Sequence, residues 1–385
     1  MYLKTQYPIF ILFGFTVSLG GFLIEPLLPL YLIFYRDIRL FYEVHLLSSI
    51  FYISCFIGKL ILVVAAGSIK LLTILSAIIL PPSILLYSVL SGFSIMIVRI
   101  LHGFTLSILI TSVWVCIVRT VNPTLLRRLI GVLNAFIGLA GAITFILSYR
   151  LIQYYGFNIL LLVAVLLCTL SLPLVLAMTL SGLLNSGFRA YSRLKLYTAV
   201  NVKTVTAISI VLLCILIRSL GCGIVKPYFP PYIVLLFNNI MFAWSIFVYS
   251  GLSYVSGSIL SIIILKFIEP LKLMATSLLG ISVGTLIYTY TMSPEEFIVA
   301  TIITSLNSSM YKVSYINYLS RIVHDPLRIL LVVVALSLTD IGYAVGSLIS
   351  PSIGDIRLSF KAYSILSLIC IPLVTLLVVR CRGRC

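Results

Sequence analysis

Seven ionisable side chains interrupt a chain that is otherwise a succession of apolar runs: Glu25, Lys59, Arg99, Arg218, Lys226, Lys312 and Asp340 each fall inside a stretch long enough to cross a bilayer. A charge at lipid depth costs about 2.5–3.5 kcal/mol even on the lenient insertion scale, so each needs a partner, a water-filled cavity or a task. Arg218 and Lys226 stand eight residues apart (226 minus 218), which leaves them about 80° apart around a helix and facing one space. Lys312, with Ser308, Tyr311 and Tyr315 at helical spacing, can face the same space from another helix. Positive charge gathered at mid-membrane beside few acids points to an anionic ligand whose carboxylate or phosphate neutralises it. In the alternative, Lys226 snorkels outward from its helix end and Lys312 pairs with Asp340.

Glu25 and Arg99 lie at depths that agree within about one helical turn, so an ion pair is expected between them. It would act either as a gate that breaks when ligand or proton arrives, or as a permanent clasp. Glu25 and Asp340 are the intramembrane acids and hence the candidates for taking up a proton on one side of a membrane and releasing it on the other; a structural role beside a cation is the other reading of Asp340. His102, beside Arg99, can relay protons, or pack and hydrogen-bond. Asn134, Trp244, Tyr249, Ser250 and Tyr254 are candidates for a cavity wall, interface anchoring being the alternative for Trp and Tyr. Lys59 has no partner that the sequence identifies.

The elements that hold these groups follow from composition. Of the 385 residues 62% are apolar and 9% charged, with a mean hydropathy of +1.24, far from the roughly 25% charged of soluble domains. Apolar runs near 8–34, 44–68, 70–90, 94–119, 129–149 and 157–181, then 204–227, 237–266, 272–291, 296–318, 328–350 and 360–380, predict an all-α membrane protein with about twelve transmembrane helices. Ser18-Leu19-Gly20 with Glu25-Pro26 returns as Ser219-Leu220-Gly221 with Lys226-Pro227, an offset of 201 (219 minus 18). Tyr52 and Ser54 return as Tyr254 and Ser256, and Arg119 returns as Arg321, an offset of 202 (254 minus 52). The chain therefore reads as two pseudo-symmetric six-helix bundles, 1–181 and 204–385, joined by a basic cytoplasmic linker, 182–203. Gly131, Gly138, Gly141, Gly342 and Gly346 permit close helix contact.

The net charge of +17 needs no nucleic-acid partner once its placement is considered. Sixteen basic residues fall in alternate loops and at the termini, against five in the opposite set, which puts both termini in the cytoplasm of a multi-pass cell-membrane protein. No Gly-x-x-x-x-Gly-Lys-Ser/Thr run is present, and no separate soluble domain, metal-ligand spacing or Ser/His/Asp set suggests an enzyme, a metal or a cofactor. The eight cysteines lack ligand spacing, and those inside spans read as small packing residues.

Leu19-Gly20 with Pro26 and Pro29, Arg99-Ile100-Leu101-His102-Gly103, and the glycines of 131–141 and 342–346 resemble motifs of helices one, four, five and eleven of the major facilitator superfamily. The loop at Ala66-Gly67-Ser68-Ile69-Lys70 departs from that family's Asp- and Arg-rich motif. The resemblance implies a secondary transporter in which helices one, four, seven and ten line a central cavity. The function expected is alternating-access transport of a small organic anion or amphipathic metabolite, with protons as candidate coupling ions and the lipid bilayer as the other partner. A proton-driven multidrug or metabolite exporter is the alternative, and a non-transporting membrane receptor or scaffold the alternative of another class.

Overall fold

The computed structural model describes residues 7–24, 41–65, 68–90, 94–121, 123–184, 201–323 and 327–381. Glu25, and with it the expected Glu25–Arg99 pair, lies outside the described residues, as do 185–200 of the linker.

Helix follows helix. The first half holds α1 (Tyr7–Phe22), α2 (Phe41–Val64), α3 (Ile69–Val89), α4 (Ser94–Thr120), α5 (Pro123–Thr169) and α6 (Ser171–Leu180). The second holds α7 (Val202–Val225), α8 (Phe229–Phe237), α9 (Ile240–Ile264), α10 (Pro270–Tyr290), α11 (Pro294–Ile322), α12 (Leu327–Ile353) and α13 (Ile356–Cys381). With no water in a bilayer, each apolar run satisfies its backbone internally, and polar residues act at the ends. Asn201 accepts from the Lys203 amide and Asn239 from that of Phe242, while Ser293 accepts from the Glu296 amide as Glu296 reaches back to Met292. Pro270 and Pro294 open their helices, where a missing N–H costs nothing.

Among the described residues nine stretches are long and apolar enough to span a membrane. One of them, Leu125–Leu180, is 56 residues long and contains two passes, because Gly156 (φ 80°) breaks α5 between them. Adding the shorter α1 and the more polar α11 gives the twelve expected. The sequence did not suggest α8, a separate short helix after Lys226-Pro227 that ends at Asn238 in the left-handed region (φ 46°).

Within the first half α1 packs on α5, α2 on α4, and α3 on both α4 and α5. In the second, α7 packs on α12 and α13, α10 on α11 and α13, and α9 on α11. Two seams join the halves, α2 against α12 and α5 against α9. On the first seam, Ser49 Oγ donates to the Ala344 carbonyl at 3.0 Å. Contact inside the halves is close enough to require glycine: a Cβ on Gly346 would sit 2.2 Å from the Leu220 carbonyl oxygen and 2.8 Å from the Ile224 amide nitrogen. Both are backbone atoms with no rotamer to yield. Gly346→Ala is therefore expected to destabilise the protein by about 1–3 kcal/mol, read as a lower thermal midpoint in detergent; an unchanged midpoint would show that α7 and α12 can separate freely.

Candidate functional site

Between the halves lies a cavity of about 560 Å³, within the range of small-molecule sites. Part of its wall repeats the duplication. Ser107, Ile110, Thr111 and Trp114 on α4 line it opposite Ser308, Tyr311, Lys312 and Tyr315 on α11, each pair 201 positions apart (308 minus 107). Tyr52 on α2 matches Tyr254 on α9, and Ile137, Gly138 and Gly141 on α5 match Thr339, Asp340 and Tyr343 on α12, all at 202 (254 minus 52). The pseudo-twofold thus survives in the wall's positions but not in its chemistry: where α4 carries Thr111, α11 carries Lys312.

Three cations come from the second half. Arg218, on α7, is 8% exposed; it donates from Nη2 to Ser308 Oγ at 2.8 Å and from Nη1 to the Tyr343 hydroxyl at 3.4 Å. Its guanidinium also lies 5.7 Å from the Tyr311 ring centre and 5.8 Å from that of Tyr363. Lys226 bonds the Tyr52 hydroxyl across the cavity and sits 5.3 Å from the Tyr343 ring. Lys312 lies 5.6 Å from the Trp114 ring of the opposite half.

Lys59, which the sequence left without a partner, has one. Its Nζ meets Asp340 Oδ2 at 2.5 Å and donates to the Leu336 carbonyl at 3.2 Å, so the pair ties α2 to α12 beside the cavity. The alternative pairing of Asp340 with Lys312 is corrected accordingly: Lys59 takes the carboxylate, and Lys312 turns to an aromatic face.

No protein-family model and no curated protein sequence matches this chain. Solved structures do. The human organic anion transporter MFSD10 (TETRAN) superposes with a TM-score of 0.77 at 14% identity, over 96% of this chain and 99% of that one. The E. coli fucose:proton symporter FucP superposes with a TM-score of 0.66 at 13% identity, over 97% and 98%. The chain has the major facilitator superfamily fold.

Within the major facilitator fold, four of the candidate site residues stand away from the cavity. Arg99 is 2% exposed; its Nε donates to the Leu47 carbonyl at 3.4 Å and its guanidinium lies 4.3 Å from the Phe51 ring centre, so it fastens α4 to α2. His102 packs against the same Phe51 ring and bonds the Tyr87 hydroxyl at 3.3 Å. Gly103 completes that contact, since a Cβ there would lie 2.5 Å from the Phe51 carbonyl oxygen. Among the described residues, the Arg99–Gly103 phrase joins α4 to α2 inside the first half. Asn134 is turned into the α5–α9 seam, donating to Ser258 at 3.0 Å and Ser309 at 3.1 Å and accepting from Tyr254 at 3.1 Å. Trp244 is buried against Tyr149 on that seam.

Arg218, Lys226, Lys312, Tyr311, Tyr315 and Asp340 do share the cavity. Sequence reasoning passed over Tyr52, Trp114 and Tyr343. Tyr52 had a signal, its repeat as Tyr254; for Trp114 and Tyr343 the offset from Tyr315 and Gly141 would have served once the first lining residues were known. Among the described residues no three His, Cys, Asp or Glu side chains gather to hold a metal ion.

Proposed function

We propose that this chain is a secondary transporter that moves a small organic anion by alternating access. Its halves, 1–181 and 204–385, rock on the α2–α12 and α5–α9 seams with 182–203 as the cytoplasmic linker, and both termini face the cytoplasm of the cell membrane. The observation that carries this reading is the charge of the cavity wall: Arg218, Lys226 and Lys312 line it, while the one acid among its described residues, Asp340, is engaged by Lys59. An anion supplies the missing countercharge. A fold shared with an organic anion transporter supports the class.

Protons are the proposed coupling ion, with Asp340 as their carrier. The Lys59–Asp340 pair spans the two halves, so protonating that carboxylate weakens a contact that must break when the halves separate. The shared fold with a fucose:proton symporter is consistent with coupling.

The test is uptake of labelled organic anions into proteoliposomes, with and without an imposed pH gradient. Lys226→Ala and Lys312→Ala are each expected to lower uptake by about 10- to 100-fold, the worth of a charge-assisted hydrogen bond. Should both variants take up every anion tested like the parent, while Glu25→Gln abolishes proton-linked efflux, the anion reading fails and the exporter replaces it.

A further inference from the structure

Among the described residues, four cations and one acid line the cavity: Lys59, Arg218, Lys226 and Lys312 against Asp340. Asp340 is engaged by Lys59 at 2.5 Å, and Lys226 and Lys312 also lie within its electrostatic reach. One carboxylate shared among three lysines cannot neutralise them all. Lys59 and Asp340 cancel, which leaves three positive charges around a space of about 560 Å³. Were Glu25 to turn into the same space, two would still stand unmatched.

Among the described residues the direct partners of these three cations are neutral. Arg218 donates to the hydroxyls of Ser308 and Tyr343, Lys226 to the hydroxyl of Tyr52, and Lys312 lies by the Trp114 ring. Hydroxyl dipoles and ring quadrupoles orient a cation and ease its desolvation, but they carry no net charge. Like charges enclosed at lipid depth raise one another's cost, so the missing countercharge is a property of the whole wall. The same partners hold the cations to different helices: Tyr52 stands on α2, Trp114 on α4, Ser308 on α11 and Tyr343 on α12. A single negative charge set against one cation leaves the rest of the balance unmet.

Resting on the anion reading above, we propose that the cargo carries at least two negative charges, as a phosphate monoester or a dicarboxylate does. Lys226 and Lys312 then set the valence that the site selects, since each adds a positive charge that no described carboxylate pairs with directly.

Isothermal titration calorimetry on the full-length purified protein tests this at about pH 8, where a phosphate monoester carries nearly two charges. Two matched pairs serve as probes. Methyl phosphate and methyl sulfate share a shape and differ by one charge; glutarate and its half-amide, glutaramate, do the same with the charges at opposite ends. In at least one pair the doubly charged member is expected to bind about tenfold more tightly or better. A preference confined to the phosphate pair places both charges on one head and one confined to glutarate places them on two, and either sustains the proposal. Lys226→Gln and Lys312→Gln are each expected to shrink that preference by about threefold or more, because removing a cation costs a doubly charged ligand more than a singly charged one. Misfolded protein would lower both members of a pair alike and leave their ratio unchanged. Binding of the singly charged members within about threefold of their partners in both pairs, or a preference undiminished in both variants, overturns the proposal while the anion reading stands. If none of the four probes binds, both fall.

Discussion

Lys59→Met should leave the protein about 3–5 kcal/mol less stable and deficient in transport, because it strands the Asp340 carboxylate, 7% exposed, without its cation. Breaking a buried pair from one side costs more than removing it whole, since the remaining charge has lost its compensation. Adding Asp340→Asn to Lys59→Met is therefore expected to restore most of the lost thermal midpoint. Transport should not return, for the double variant lacks the acid proposed to carry protons. A Lys59→Met protein with the parent's midpoint would mean that the contact between α2 and α12 contributes nothing, and the seam would have to be held by neighbours such as Ser49 on Ala344.

Arg218→Gln has the second large effect. Its guanidinium holds Ser308 and Tyr343 and lies by the rings of Tyr311 and Tyr363, so the cavity loses both a cation and the group that orders its second-half wall. Anion uptake into proteoliposomes should fall by about 100-fold or more, the upper range for a charged hydrogen bond. Gln keeps a donor and much of the side chain's length, so a thermal midpoint close to the parent's would assign the loss to binding. Anion uptake within about threefold of the parent would show that the guanidinium serves packing alone.

Much of the fold was legible because bilayer-crossing runs are long, and their ends are punctuated by proline, asparagine and charge. The expected 94–119 and 272–291 are found as Ser94–Thr120 and Pro270–Tyr290. The passage after Lys226 was not: it falls between the expected spans 204–227 and 237–266, yet Pro230 and Pro231 fall in the first turn of α8, where proline is tolerated. Helical spacing brought Arg218, Lys226, Lys312 and Tyr311 to one cavity, since phase around an axis is written in the sequence. Partnership between distant helices is not. Lys59 and Asp340 are 281 residues apart in different halves, and nothing in either neighbourhood announces the other. Asn134 illustrates the same limit: it shares a helix face with Gly138 and Gly141, which line the cavity, but one turn further along that face meets Ser258 and Ser309 of the second half.

The uneven wall has a mechanical consequence. Beside Lys59, which Asp340 engages, the cavity's cations Arg218 and Lys312 stand on α7 and α11, both in the second half, whereas the facing surface of the first offers Trp114, Ile137 and Phe145. An anion held by those cations would be a passenger of one bundle. As the bundles tilt, it would keep its berth while the opposite face slides past, and a spin label on the ligand should hold a constant distance to sites on α7 while its distance to sites on α4 changes.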